Sequence, residues 1–148
     1  MHEIPKLTSP LADEVVRLRE IAEWDIPEIL IAHQDDPMLC LRLGHRRPPT
    51  GAQLGSEVER ADARRAEGLG ISLTLTEPAG NDCRGRLEIS AIDWDARSAR
   101  ISLWVAPRWR RRGLADHALG LATRWLTETV GLDELTVGDV VDDARHGA

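Results

Sequence analysis

The stretch Val105-Ala106-Pro107-Arg108-Trp109-Arg110-Arg111-Arg112-Gly113-Leu114-Ala115 decides how this chain is read. Upstream, Ala99 to Val105 alternates as a strand does. Downstream, Leu114, His117, Ala118, Leu121, Ala122 and Trp125 recur at helical spacing. A Pro-bearing turn and an arginine cluster join the two, and Gly113 stands where the helix begins. The first turn of a helix has backbone N–H groups without intrahelical partners, and its dipole adds partial positive charge there. Such a junction takes anions. Gly113 lets the main chain approach a phosphate, the small Ala115 leaves room, and Arg110, Arg111 and Arg112 can add charge-assisted bonds from the rim. The chemistry indicated is capture of a diphosphate. It requires those amides to be neither capped by the protein itself nor buried beneath other side chains.

An arginine cluster at a helix start also fits a solvated patch or a nucleic-acid contact. A net charge of −6 and the lack of a second basic run speak against nucleic acid. The chain's 148 residues, 42% hydrophobic and 30% charged, fit one domain over 1–148 that buries about two-thirds of its unfolded surface. Phe and Tyr are absent, so the core is aliphatic with tryptophan. Residues 1–12 mix charge and proline and read as a flexible tail without the apolar region of a signal peptide. No apolar run approaches a membrane span. Cys40 and Cys83 lack metal-ligand spacing and read as reduced thiols of a cytoplasmic protein.

A strand is expected in Glu14–Ile21 and a helix from an Asp25 cap to Asp36-Pro37. A loop follows over Leu43–Gly55, then a helix of about Gly51–Glu67 capped by Thr50 or Ser56. Strands follow at Ile71–Thr76, Arg86–Ile92 and Ala99–Val105, with turn chemistry at Glu77–Asp82. A helix from Leu114 to about Val130, a strand Leu135–Val140 and a polar tail 141–148 complete the chain. The order β-α-α-β-β-β-α-β is an α/β plan of the α+β type, an antiparallel meander followed by one crossover.

Arg110-x-x-Gly113-x-Ala115 resembles the Arg/Gln-x-x-Gly-x-Gly/Ala signature of the GNAT N-acetyltransferase superfamily. The wider stretches Ala99–Pro107 and Gly113–Leu126 resemble its RimJ/RimL-like ribosomal-protein branch. The likeness runs from about Val15 to Val140 and is specific between Gly85 and Trp125. It implies a mixed, mostly antiparallel sheet, and acetyl-CoA as donor with its diphosphate on Arg110, Arg111, Arg112, Gly113, Leu114 and Ala115. The pantetheine arm would lie between splayed fourth and fifth strands along the backbone of Leu103, Trp104 and Val105. The oxyanion would meet a main-chain N–H near Val105. The acetyl group would pass directly to a primary amine, a protein N-terminus or a small molecule, with no metal.

Two carboxylates are candidates for general base. Glu88 alternates with Leu87 and Ile89 and so points away from their face, toward the acceptor cleft. Asp139, at the end of the last strand, can approach the thioester. His117 lies on the apolar helical face and reads as a packed histidine, while Asp93 and Asp95 fit turn roles. His33 and His45 border the acceptor side without any distinguishing spacing. Where the branch has an acidic residue and a glycine in its fourth strand, this chain has Arg100 and Ser102. It has no tyrosine to protonate a leaving thiolate, and the branch's Asn-x-x-Ser stretch, fourth helix and last two strands are not present. The resemblance therefore supports two expectations. One is an acetyl-CoA-dependent N-acetyltransferase. The alternative is a truncated, catalytically impaired CoA-binding or dimerisation module, with a homodimer completing the sheet at an exposed edge.

Overall fold

In the computed structural model, which describes residues 2–143, Ile71, Leu73 and Leu75 alternate with Ser72, Thr74 and Thr76 along strand β3 (Ile71–Thr76). β3 pairs antiparallel with β4 (Gly85–Asp93), and β4 with β5 (Ser98–Val105). The register sets Leu73 opposite Leu87 and Leu87 opposite Leu103, and aligns Ile71, Ile89 and Ile101 in the next row. Because strand side chains alternate between faces, these residues form one continuous apolar layer. The other face carries the rows Ser72–Glu88–Ser102 and Thr74–Arg86–Trp104. One sheet thus has a dry face and a polar face. Gly85 is required where β4 meets β5, since a Cβ there would collide with the Trp104 carbonyl.

The sheet is completed by β1 (Leu11–Ala12) and β2 (Arg17–Glu20) on one side and by β6 (Glu134–Val141) on the other, in the order β1 to β6. Every pairing is antiparallel except β5 with β6. Helix α4 (Leu114–Trp125) makes that parallel crossover and lies on the dry face, where Leu114, Ala118, Ala122 and Trp125 join Leu87, Ile101 and Leu103 in the main core. Each such leucine contributes roughly 1.5–3 kcal/mol by leaving water. A π-helical turn, Leu126–Val130, ends α4, with Gly131 N–H reaching the Leu126 carbonyl at 2.8 Å.

Helices α1 (Ile26–Asp35), α2 (Leu39–Arg42) and α3 (Gly51–Ala66) cover the polar face beside a smaller core of Ile29, Leu39, Leu54 and Trp104. Of the two caps expected for α3, Thr50 is the one used. Its hydroxyl accepts the Gln53 N–H at 3.1 Å, and the Gln53 side chain accepts the Thr50 N–H at 2.9 Å. The expected mixed α/β fold is present: a six-stranded, mostly antiparallel open sheet with four helices.

Four local expectations are corrected. Residues 2–12 include a buried anchor: Ile4 is fully buried, its N–H donates to Arg65 O at 3.0 Å, and its carbonyl accepts Arg65 Nη1 at 2.6 Å. Asp25 does not cap α1 with its side chain; its carboxylate turns inward to Arg19, to Thr74 Oγ1 at 2.7 Å and to Ala22 N–H at 2.9 Å. β1 and α2 are additional elements. Val141 belongs to β6 and is buried, so a polar end begins at Asp142; residues 144–148 lie outside the described residues. No helix of the described residues is long and apolar enough to cross a membrane.

Candidate active site

After β5, Pro107–Trp109 forms a single 3-10 turn, and the guanidinium groups of Arg84 and Arg112 lie over the Trp109 ring, 3.3 Å and 5.0 Å from its centroid. Arg111 and Gly113 both take left-handed backbone, with φ of +62° and +83°. Glycine does this without strain, whereas arginine does so against its preference. Two loop amides converge on one carboxylate: Arg111 N–H donates to Asp142 Oδ1 at 3.2 Å, and Ala115 N–H to Asp142 Oδ2 at 3.3 Å. The Arg111 N–H also reaches the Asp142 main-chain oxygen at 3.2 Å. The amides of Arg112, Gly113 and Leu114 have no partner among the described residues. The strand-to-helix junction therefore does hold an anion, but the anion is the protein's own. Freedom of these amides, which diphosphate capture requires, is met in part only. Burial raises the Asp142 pKa above the usual carboxylate value; the two amide bonds oppose this and the Asp116 charge reinforces it.

The arginines expected at the rim divide. Arg111 and Arg112 are exposed, but Arg110 is not. Its Nη2 meets Asp36 Oδ2 at 2.8 Å with both side chains 1% exposed, and its Nε donates to the Val105 carbonyl at 2.8 Å. Arg110 thus fastens the loop to the end of α1 instead of facing a ligand. Leu114 and Ala115 are buried, and Leu114 belongs to the main core.

β5 and β6 do not splay apart. They pair from Ser98↔Glu134 to Trp104↔Val141, with one slip between Ile101↔Val137 and Leu103↔Val140, where β6 holds an extra residue. The Leu103–Trp104 edge expected to face a pantetheine arm is met by β6. Val105 lies opposite Gly85, and its carbonyl is taken by Arg110. Leu103 packs in the main core, and Trp104 meets His33 edge-on with ring centroids 5.8 Å apart.

Over the polar face, between α3 and the β4–β5–β6 surface, lies an open cleft of about 1040 Å³. Glu88 and Asp139 both line it. Glu88 is held by Arg86 at 2.9 Å, and Arg86 also donates to Glu57 at 2.9 Å and Ser72 at 2.7 Å. Asp139 sits 3.5 Å from Arg100. His33, which no spacing marked out, lines the same cleft and is buried, with Nδ1 lacking a partner. Burial pushes its pKa below 6.5; the charges of His45 and Arg86 push the same way, against Asp36. Burial therefore favours the neutral imidazole beside Trp104. Its place depends on how α1 packs on the sheet, which leaves no mark in a linear pattern.

His117 is not a packed core histidine. It is partly exposed, and Nδ1 contacts Asp13 Oδ2 at 2.8 Å, a bond that raises its pKa. Asp93 takes the turn role expected of it, accepting the Ala96 N–H at 3.1 Å. Cys40 and Cys83 are free and buried, and burial, reinforced by the Asp25 charge, pushes the Cys83 thiol up to about 12. A thiol held so far from ionising is a poor nucleophile.

One unbroken sheet thus carries an amide-lined loop at the start of α4 and a cleft on its polar face. Residues 16–143 match the acetyltransferase (GNAT) domain family, and the chain belongs to it. Among solved structures the chain is similar to a probable acetyltransferase at 17% identity, covering 87% of this chain and 72% of that one, with a TM-score of 0.75. It is similar also to a putative ribosomal-protein-serine acetyltransferase from Vibrio cholerae, at 14% identity, covering 90% and 75% of the two chains, with a TM-score of 0.74. A third likeness is to Mycobacterium smegmatis RimJ in complex with CoA-disulfide, at 20% identity, 84% and 63% coverage, and a TM-score of 0.67. No curated protein matches the sequence.

Proposed function

We propose that the chain moves an acetyl group from acetyl-CoA to a primary amine, a protein N-terminus or a small molecule, held in the cleft over β4 and β5. The observation that carries this reading is the grip of the Arg111 and Ala115 amides on the Asp142 carboxylate. Main chain that holds a carboxylate is shaped for the oxygens of a diphosphate. The donor would displace Asp142, and the amides of Arg112, Gly113 and Leu114 with the exposed Arg111 and Arg112 side chains would complete the shell. Support for a donor of this kind comes from the RimJ structure solved with CoA-disulfide. Support for an amine acceptor comes from the Vibrio cholerae likeness, described as acting on ribosomal-protein serine.

When bound, acetyl-CoA supplies an acetyl thioester. The chain's own work is then to hold the amine and remove its proton, because an ammonium has no lone pair with which to attack. His33, neutral at physiological pH, can take that proton, as can Glu88 or Asp139. Glu88 is the most engaged of the three, through Arg86. Room for the pantetheine arm along Leu103, Trp104 and Val105 requires β6 to part from β5, and the slip after Ile101 is where the ladder is already irregular.

Two observations favour a second reading, a module impaired in transfer: Asp142 fills part of the donor loop, and β6 pairs with β5 as far as Val141. The exposed edge of β6, with Val137 and Val140 open to solvent, is where such a module would pair with a second copy. Melting temperature with saturating acetyl-CoA, followed by thiol release with a panel of amines, separates the two. A rise with turnover supports transfer, and a rise without turnover favours the impaired module. No rise, in the wild type or in Asp142→Ala, would remove donor binding altogether.

A further inference from the structure

The cleft over the polar face is far more cationic than the molecule that contains it. Arg46, Arg47, Arg60, Arg64, Arg86 and Arg100 line it against Glu57, Glu88 and Asp139, in a chain whose net charge is −6. Arg86 is answered by Glu57 and Glu88, and Arg100 by Asp139. Arg46, Arg47, Arg60 and Arg64 have no acidic partner among the described residues, and all four are exposed. The three acids that share the cleft, Glu57, Glu88 and Asp139, are already committed. A concave surface focuses field, so unpaired cations in a cleft raise the local concentration of anions more than the same cations on a convex surface do.

The arrangement also limits the shape of the anion. Gln53, Ser56, Glu57, Arg60 and Arg64 all line the cleft from α3. At 1.5 Å rise per residue that wall is roughly 16 Å long. Arg46 and Arg47 lie in the segment before α3, and Arg100 comes from β5 across the cleft. Cations drawn from three segments along such a wall suit several anionic groups better than a single phosphate. They match an extended chain of about five residues, at roughly 3.3 Å each, with acidic groups along it. The volume, about 1040 Å³, is at the upper end for small-molecule sites.

Resting on the acetyltransferase reading above, we propose that the acceptor is the amino terminus of an acidic peptide segment. Its amine reaches the end of the cleft near Trp104 and His33, and its carboxylates lie along Arg60, Arg64, Arg46 and Arg47. Polyamines and basic peptides are disfavoured by the same charges.

The test uses the full chain and two pentapeptides with a free serine amine, one followed by Asp and Glu residues and one by Lys residues. Binding is measured by calorimetry, with and without acetyl-CoA, and acetylation by thiol release. The acidic peptide is expected to bind at least tenfold more tightly, to lose that advantage between 50 mM and 500 mM salt, and to lose most of it in Arg60→Gln/Arg64→Gln. Equal binding of the two peptides, a preference for the basic one, or a preference that survives both salt and the double variant overturns the proposal. The binding arm needs no turnover, so it decides the acceptor class even if the donor fails to bind. Acetylation that favours the basic peptide would leave the transferase reading standing and this proposal refuted.

Discussion

Asp142 accepts the backbone N–H of Ala115 at 3.3 Å from 27 residues further along the chain, closing the first turn of α4 with a carboxylate carried by the end of the last strand. Together with its bond to Arg111 N–H at 3.2 Å, this makes Asp142 an internal ligand of the loop. Any external anion must compete with it.

Capping by a side-chain oxygen stabilises a helix by about 0.5–2 kcal/mol. Asp142→Ala is therefore expected to tighten acetyl-CoA binding by roughly 2- to 30-fold, measured by calorimetry, while lowering the melting temperature of the free protein. The raised pKa of Asp142 gives a stability contribution present below its ordinary value of 3.8 and lost as pH rises through the folded value. Removing the charge at neutral pH relieves that penalty, so Asp142→Asn is expected to melt higher than Asp142→Ala. Unchanged donor affinity in both variants would show that Asp142 does not occupy the donor's place.

Arg110 and Asp36 form an ion pair with both partners 1% exposed. Deleting one member leaves the other charged and buried, which costs about 3–5 kcal/mol, whereas replacing both with apolar groups is often near neutral. Arg110→Met is expected to be strongly destabilised in urea unfolding, and Arg110→Met/Asp36→Leu to recover most of the loss. Additive effects of the two changes would contradict the pairing.

Asp13 and His117 tie the β1–β2 turn to α4. His117 is raised, so its contribution is complete below its ordinary 6.5 and fades as pH rises through the higher folded value. For Asp13, burial acts upward but the His117 bond and the amides of Val16 and Val15 bring the pKa below 3.8. Its contribution is complete above 3.8 and fades as pH falls through the folded value. The melting difference between wild type and Asp13→Asn is expected to be largest between these two ordinary values and to shrink at alkaline pH. Proton NMR of the His117 ring should show its titration moving down in Asp13→Asn.

A buried neutral His33 keeps a free imidazole to lower pH than an ordinary histidine does. If it takes the amine's proton, His33→Gln is expected to lower kcat by about 10²-fold or more, and the acidic limb of the wild-type kcat profile should lie below 6.5. A larger loss in Glu88→Gln or Asp139→Asn than in His33→Gln would move the role to that carboxylate.

Strands β3, β4 and β5 and helix α4 were legible because period-2 and period-3.6 patterns in them agree with turn residues at their ends. β1 and α2 were not, since two or four residues are too few to show a period. The loop from Arg110 to Ala115 is marked by its glycine and its place between strand and helix, but the direction of each side chain in it is not. Arg110 and Arg111 look alike in sequence, and only the packing of Asp36 beneath the loop sends one inward. The Asp142 contact and the burial of His33 are likewise products of tertiary packing between elements far apart in the chain. Alternation alone puts Glu88 in the cleft, but carries no sign of its hold on Arg86, two residues away on the same strand face.

The two unlike faces of the sheet separate the main core from the side chains that the proposed reading places around the acceptor. Arg86, Glu88, Ser90, Arg100 and Ser102 rise into the cleft from strands whose alternate residues, Leu87, Ile89, Ile101 and Leu103, form the core beneath. Exchanging the upper set leaves the lower one untouched. A lineage built on this scaffold can therefore change the cleft at its more open positions, such as Ser90 and Arg100, without disturbing the main core beneath.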